Sequence, residues 1–148
     1  MSHVVRSTVI DAPVEQVWAL LRDFDGFDGW HPAIVASQIE RGRPADQVGV
    51  VRRVTLGDGS DVREQLLGLS DSDMAFSYCL RDTPVPLLNY VAHVTLAPVT
   101  DGDRTFWRWE ARFDAPAGQE EAMEAVVSEG IFRGGFDAVR ARFAEASA

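Results

Sequence analysis

Arg104-Thr105-Phe106-Trp107-Arg108-Trp109-Glu110-Ala111-Arg112-Phe113-Asp114 is the stretch that decides the fold. Trp107, Trp109, Ala111 and Phe113 alternate with Arg108, Glu110, Arg112 and Asp114. A period of two is that of a strand with one face in a core and the other in water. Asp114-Ala115-Pro116-Ala117-Gly118 ends the strand. From Gln119 to Ala146 the period changes to that of a helix, with Met123, Val126, Val127, Ile131, Phe132, Phe136, Val139 and Phe143 on one side. Gly130, Gly134 and Gly135 lie inside this helix, where each costs roughly 1 kcal/mol against alanine. They let a neighbouring group approach the helix backbone closely.

Upstream, the same reasoning gives strands at 3–10, 33–41, 48–56, 60–69, 73–80 and 87–98. Asp11-Ala12-Pro13 opens a short helix, with Asp11 or Ala12 as N-cap, Pro13 in the first turn, and Val14, Val17, Trp18 and Leu21 at helical spacing. A second short helix or turn follows, closed by Pro32. The element order is strand, two short helices, six strands, long helix. An antiparallel meander leaves one face to be covered. The C-terminal helix is the one element long enough to cover it. The expected architecture is α+β: a curved antiparallel sheet around that helix, in one domain over 1–148.

The hairpin at Gly57-Asp58-Gly59 sets what lies inside. A three-residue loop places Val54 opposite Val62 and Arg52 opposite Glu64. Val54, Leu56, Val62 and Leu66 then point inward, and Arg52 and Glu64 join them. A charged pair on an apolar face is expensive unless mutually paired. It either closes the sheet as a buried salt bridge or anchors a ligand. Tyr90, Ala92, Val94 and Leu96 form the inward set of 87–98, and Met74, Phe76, Tyr78 and Leu80 one face of 73–80.

Composition narrows the function. The 148 residues are 46% hydrophobic and 25% charged, with a net charge of −9. Phosphate binding needs a basic face, so nucleic acid is not an expected partner. Cys79 is the single cysteine, which excludes an internal disulfide, and no Cys/His cluster suggests a metal. No apolar run reaches membrane-spanning length and the N-terminus lacks the apolar core of a signal peptide, so a cytoplasmic monomer or homodimer without cofactor is expected.

Several segments carry a family likeness. They are Ile10-Asp11-Ala12-Pro13-Val14-Glu15-Gln16-Val17-Trp18, Phe24 to Pro32, Val51 to Gly59, Val62 to Leu67, Asn89-Tyr90 and the glycine-containing last helix. The chain resembles the SRPBCC (START-like, birch-allergen-like) superfamily, most of all its bacterial polyketide cyclase/dehydrase and lipid-transport group. The resemblance implies a helix-grip fold: a seven-stranded sheet gripping the last helix, with a cavity between them. In the plant abscisic-acid receptors, more distant relatives, the positions matching Glu64 and Tyr90 line that cavity, and loops matching 57–60 and 81–87 close over it. A receptor lysine that meets the ligand carboxylate falls at Trp30 here, which argues against the same recognition of an acid. Arg52 is the substitute cation.

The expected ligand is a small apolar or aromatic molecule. Its candidate contacts are Trp30, Arg52, Val54, Glu64, Phe76, Tyr78, Tyr90, Ala92, Trp107, Trp109, Phe132 and Phe136. Two inward tryptophans suit a flat ring better than a long acyl chain. If the molecule is transformed, Glu64 or His31 is the candidate base for an aldol cyclisation or dehydration, with Arg52 or a tyrosine hydroxyl supporting the enolate oxygen. The alternative for His31 is a structural hydrogen bond, with Trp30 plugging one end of the cavity. Three functions stay open: a carrier or binding protein, a cofactor-independent cyclase or dehydratase, and an interaction protein whose cavity is filled by its own side chains.

Overall fold

The computed structural model describes residues 1–147. Strand β1 (Ser2–Ile10) leads into helix α1 (Val14–Leu21), a 3-10 turn at Phe27–Gly29, and strand β2 (Ile34–Ile39). Strands β3 (Val51–Leu56), β4 (Asp61–Ser70), β5 (Ala75–Asp82), β6 (Leu88–Val99) and β7 (Arg104–Asp114) follow. The C-terminal helical stretch consists of α2 (Glu120–Ala125), a π-helical segment (Val126–Arg133) and α3 (Gly134–Ser147).

One seven-stranded sheet runs in the order β1-β7-β6-β5-β4-β3-β2, antiparallel throughout. Register shifts interrupt the β2/β3, β4/β5 and β6/β7 ladders. Such irregularities bend and twist strands, and here they curve the sheet around the C-terminal helix. The helix-grip architecture expected from the sequence is therefore the one observed.

The hairpin register is the three-residue one. Val54 pairs with Val62 and Arg52 with Glu64. The Leu56 amide donates to the Ser60 carbonyl at 2.8 Å, and Gly59 turns the chain at φ 87°. Only glycine adopts that conformation without strain.

Inward residues fill the core as the alternation implied. Trp107, Ala111 and Phe113 are fully enclosed, and Trp109, Ala92, Val94 and Leu96 are buried. Helix α1 is tied down by Asp71, which accepts from Trp18 Nε1 at 2.9 Å and from Arg22 Nε at 2.7 Å.

Local expectations need correction in three places. Pro13 is the N-cap, with extended ψ of 144°, and not a first-turn residue. Its carbonyl takes the Gln16 and Val17 amides, so the helix starts at Val14 without a capping side chain. Met74 lies in the β4–β5 turn at φ 51°, so it precedes β5, although its half-buried side chain still packs against the core. The long helix is not one α-helix, because a π segment occupies its middle. His31 Nε2 donates to the Ile131 carbonyl at 2.8 Å, beside the Gly134 amide that this carbonyl also accepts. Inserted partners of this kind are one cause of helix irregularity.

The glycines of this helix separate into two roles. A Cβ at Gly135 would stand 3.0 Å from Trp109, 3.1 Å from Trp30 and 3.2 Å from His31. A Cβ at Gly130 would meet nothing within 4 Å. Gly135→Ala is expected to lower stability by about 1–3 kcal/mol through overpacking. Gly130→Ala is expected to leave it unchanged or raise it by up to about 1 kcal/mol. Urea midpoints of the two variants decide this, and equal midpoints would refute the close packing at Gly135.

Candidate ligand cavity

The interior divides into a filled half and an open half. On the β6–β7 side, Trp107 stacks on Trp109 (5.5 Å between centroids, 18° between planes) and Trp109 on Phe132 (4.5 Å, 22°). Phe136 meets Trp107 edge-on at 4.7 Å, and Trp30 packs on Trp107 at 5.9 Å. A void of about 10 Å³ lies beside this block. On the β3–β4 side the inward residues are short, and they leave a cavity of about 250 Å³.

Val54, Val62, Glu64, Tyr78, Leu87 and Tyr90 form the buried part of its wall. Leu80 from β5, Ile34 from β2 and Phe27 from the 3-10 turn add to it. His31 and Ile131 stand beside the π segment. Ala33, Leu56, Thr83, Val85, Val126 and Gly130 are the more exposed lining residues. They mark a rim between the hairpin loop, the 83–87 loop and the helix.

Of the predicted ligand contacts, the structure brings Val54, Glu64, Tyr78 and Tyr90 to this wall, together with His31. Trp107, Trp109, Phe132 and Phe136 do not line it, because they pack on one another. Trp30 belongs to that block, and Phe76 lies against Trp18 and Tyr78. Ala92 is fully enclosed between strands. Parity alone assigned these residues to the interior, and parity does not say which interior residues leave space. The 83–87 loop lies at the rim, where the family resemblance put the 81–87 loop, but its individual residues were not named, and Val126 and Gly130 were missed. The glycine inside an otherwise apolar helix face was the signal for Val126 and Gly130.

Arg52 does not offer a cation to the cavity. It is 4% exposed, its Nε donates to Glu64 Oε1 at 2.9 Å and its Nη1 to the Phe24 carbonyl at 3.1 Å. Its guanidinium lies 3.9 Å from the Phe24 ring centroid and 4.3 Å from that of Phe27. Glu64 stands between Arg52 and the cavity, 6% exposed. Its second oxygen, Oε2, accepts no hydrogen bond among the described residues and is not sealed off from the cavity.

Both tyrosine hydroxyls are held above their ordinary pKa, chiefly by burial, with the Glu64 charge adding to it. Tyr78 Oη accepts from Trp109 Nε1 at 3.3 Å and couples to Tyr90. Each remains a neutral hydroxyl in the neutral pH range. His31 is engaged at both nitrogens: Nδ1 accepts from the Ala33 amide at 3.1 Å and Nε2 donates to Ile131. The ring is neutral with its proton on Nε2, which leaves no free lone pair for a base.

Burial pushes the His31 pKa down, opposed by the Ile131 bond and aided by Arg52. The neutral form is therefore favoured by folding. That contribution is complete above the unfolded value of about 6.5 and is lost as pH falls from there toward the folded value. Paired carboxylates act lower: Glu110, held at about 2 by Arg108 and His3, loses its contribution only below about 4.5. The wild-type urea midpoint is expected to drop between pH 7 and 5.5, and that of His31→Gln to stay flatter. Parallel slopes would assign the drop to other groups.

Residues 1–144 match the model of the family described as polyketide cyclase / dehydrase and lipid transport. The chain belongs to this family. A solved structure from Thermobifida fusca is 28% identical with a TM-score of 0.86, covering 98% of this chain and 95% of the other. The protein XoxI of Bacillus cereus superposes with a TM-score of 0.89 at 24% identity, covering 100% and 99%. Norcoclaurine synthase from Thalictrum, solved as a point mutant with a transition-state analogue, has a TM-score of 0.75 at 12% identity, covering 99% and 96%. These last two likenesses speak for the fold alone. A search of curated proteins finds no match. Among the described residues, no helix is long and apolar enough to cross a membrane, and no cluster of three or more His, Cys, Asp or Glu assembles that could hold a metal.

Proposed function

We propose that this family member binds a small, largely apolar molecule in the cavity between β3–β4, the 83–87 loop and the π segment. The observation that carries this is a space of about 250 Å³ whose wall is apolar except for a few polar groups, Glu64 foremost. Sites for small molecules have this make-up. An apolar cavity of about 150 Å³ takes up benzene. By the same proportion this one suits a body of about ten carbon atoms, such as a fused two-ring system. A cavity of this size counts against the interaction-protein reading, which requires the interior to be filled.

A second reading, a cyclase or dehydratase, has one observation in its favour. Glu64, Tyr78 and Tyr90 line the same space, so a carboxylate and a hydrogen-bonded pair of neutral hydroxyls share one wall. Glu64 is then the base, and a tyrosine the group that supports the enolate oxygen. His31 has no part in it.

Native mass spectrometry of the protein purified from its own host, with denaturing extraction, tests the binding reading. A stoichiometric apolar compound of roughly this size is the expected result. Bare mass, together with no uptake of any two-ring aromatic added in solution, would refute it. Turnover of an extracted compound that is abolished in Glu64→Gln would move the assignment to the enzyme.

A further inference from the structure

Resting on the cavity-binding reading, we infer that the bound molecule carries a hydrogen-bond donor, a hydroxyl or amino group, that meets Glu64 Oε2, and that anionic molecules are rejected.

The polar atoms of the wall decide this one by one. His31 is engaged at both ring nitrogens. Tyr78 and Tyr90 are coupled to each other, and Tyr78 also takes Trp109 Nε1, so this pair keeps one proton and Glu64 alone offers a charged acceptor. At the rim, the Thr83 hydroxyl accepts the Val85 amide at 3.1 Å. Glu64 Oε2 is the wall's acceptor without a donor among the described residues. A carboxylate accepts and does not donate. A bonded neutral donor is therefore favoured there, and an ether oxygen or a carboxylate facing it is not.

The electrostatics point the same way. Glu64 is the charged side chain of the wall, and the cation that balances it lies behind it. Arg52 is fixed by Glu64, by the Phe24 carbonyl and by two aromatic faces. An incoming anion would meet Glu64 first, in a low-dielectric space where like charges repel strongly. The net charge of −9 adds to the repulsion.

Three probes of one shape test this on the full chain by calorimetry at neutral pH: 1-naphthol, 1-methoxynaphthalene and 1-naphthoate. The naphthol is expected to bind about 10–100-fold more tightly than the ether, the factor that a hydrogen bond to a charged acceptor supplies. The naphthoate is expected to bind more weakly still. Glu64→Gln keeps an acceptor for Arg52 and turns an amide donor toward the cavity. In that variant the preference for naphthol over ether is expected to vanish and the naphthoate to gain. Equal binding of naphthol and ether by the wild-type protein overturns the inference while leaving the cavity reading intact. Naphthoate binding as tight as naphthol also overturns it. Failure of all three probes overturns the cavity reading, and this inference with it.

Discussion

Arg52→Met is expected to lower the unfolding free energy by about 3–5 kcal/mol, the usual effect of stranding one partner of a buried ion pair. Glu64 is almost sealed, and Arg52 Nε supplies its one hydrogen bond among the described residues. Methionine matches much of the arginine stem but donates nothing. It leaves both Glu64 and the Phe24 carbonyl without a donor. The cation lying over Phe24 and Phe27 is lost as well, and such contacts contribute about 0.5–2 kcal/mol. A single domain has only about 5–15 kcal/mol of stability, so the loss removes a large share of it. Urea denaturation followed by tryptophan fluorescence measures this. The double variant Arg52→Met/Glu64→Leu is expected to recover most of the loss, because an apolar pair of similar volume removes the stranded charge. A loss below about 1 kcal/mol in the single variant would mean that cavity water solvates Glu64 and that the pair contributes little to folding.

That pair also shows how far the sequence carries. Its placement follows from local chemistry: Gly57-Asp58-Gly59 fixes a three-residue loop, the loop fixes the register, and period two then puts Arg52 and Glu64 inside. The same logic holds for Trp107, Trp109, Ala111 and Phe113, which all lie in the core. What parity does not contain is volume. Whether an inward side chain meets another side chain or empty space depends on non-local packing across the sheet and helix. Trp107 and Trp109 meet Phe132 and Phe136 some 25 residues away in sequence. Val54 and Val62 face Gly130, which has no side chain to return. The π segment was equally illegible: its Ile131 carbonyl takes a hydrogen bond from His31, 100 residues earlier, which no local pattern announces. A helical period of apolar residues does not reveal a partner that reaches a helix carbonyl from a distant element.

Trp109→Ala carries the other large effect, a loss of about 3–5 kcal/mol. Trp109 is the hub of the filled half, stacked on Trp107 and Phe132 and in contact with Trp30 and Phe136. Truncation removes those contacts and also the Nε1 donor to Tyr78 Oη. The surrounding rings are held by the sheet on one side and by α3 at Gly135 on the other, so they have little room to collapse. A void of indole size is therefore expected, and added indole should raise the melting temperature of Trp109→Ala but not of the wild-type protein. The same variant separates two views of the aromatic block. If the tryptophan stacked on the natural ligand, as its inward parity suggested, truncation would weaken binding of a cavity probe such as 1-naphthol. If the block is a closed packing unit set apart from the cavity, the folded fraction of the variant binds that probe with nearly unchanged affinity. The stacking distances favour the second outcome, because Trp109 is already stacked on both Trp107 and Phe132.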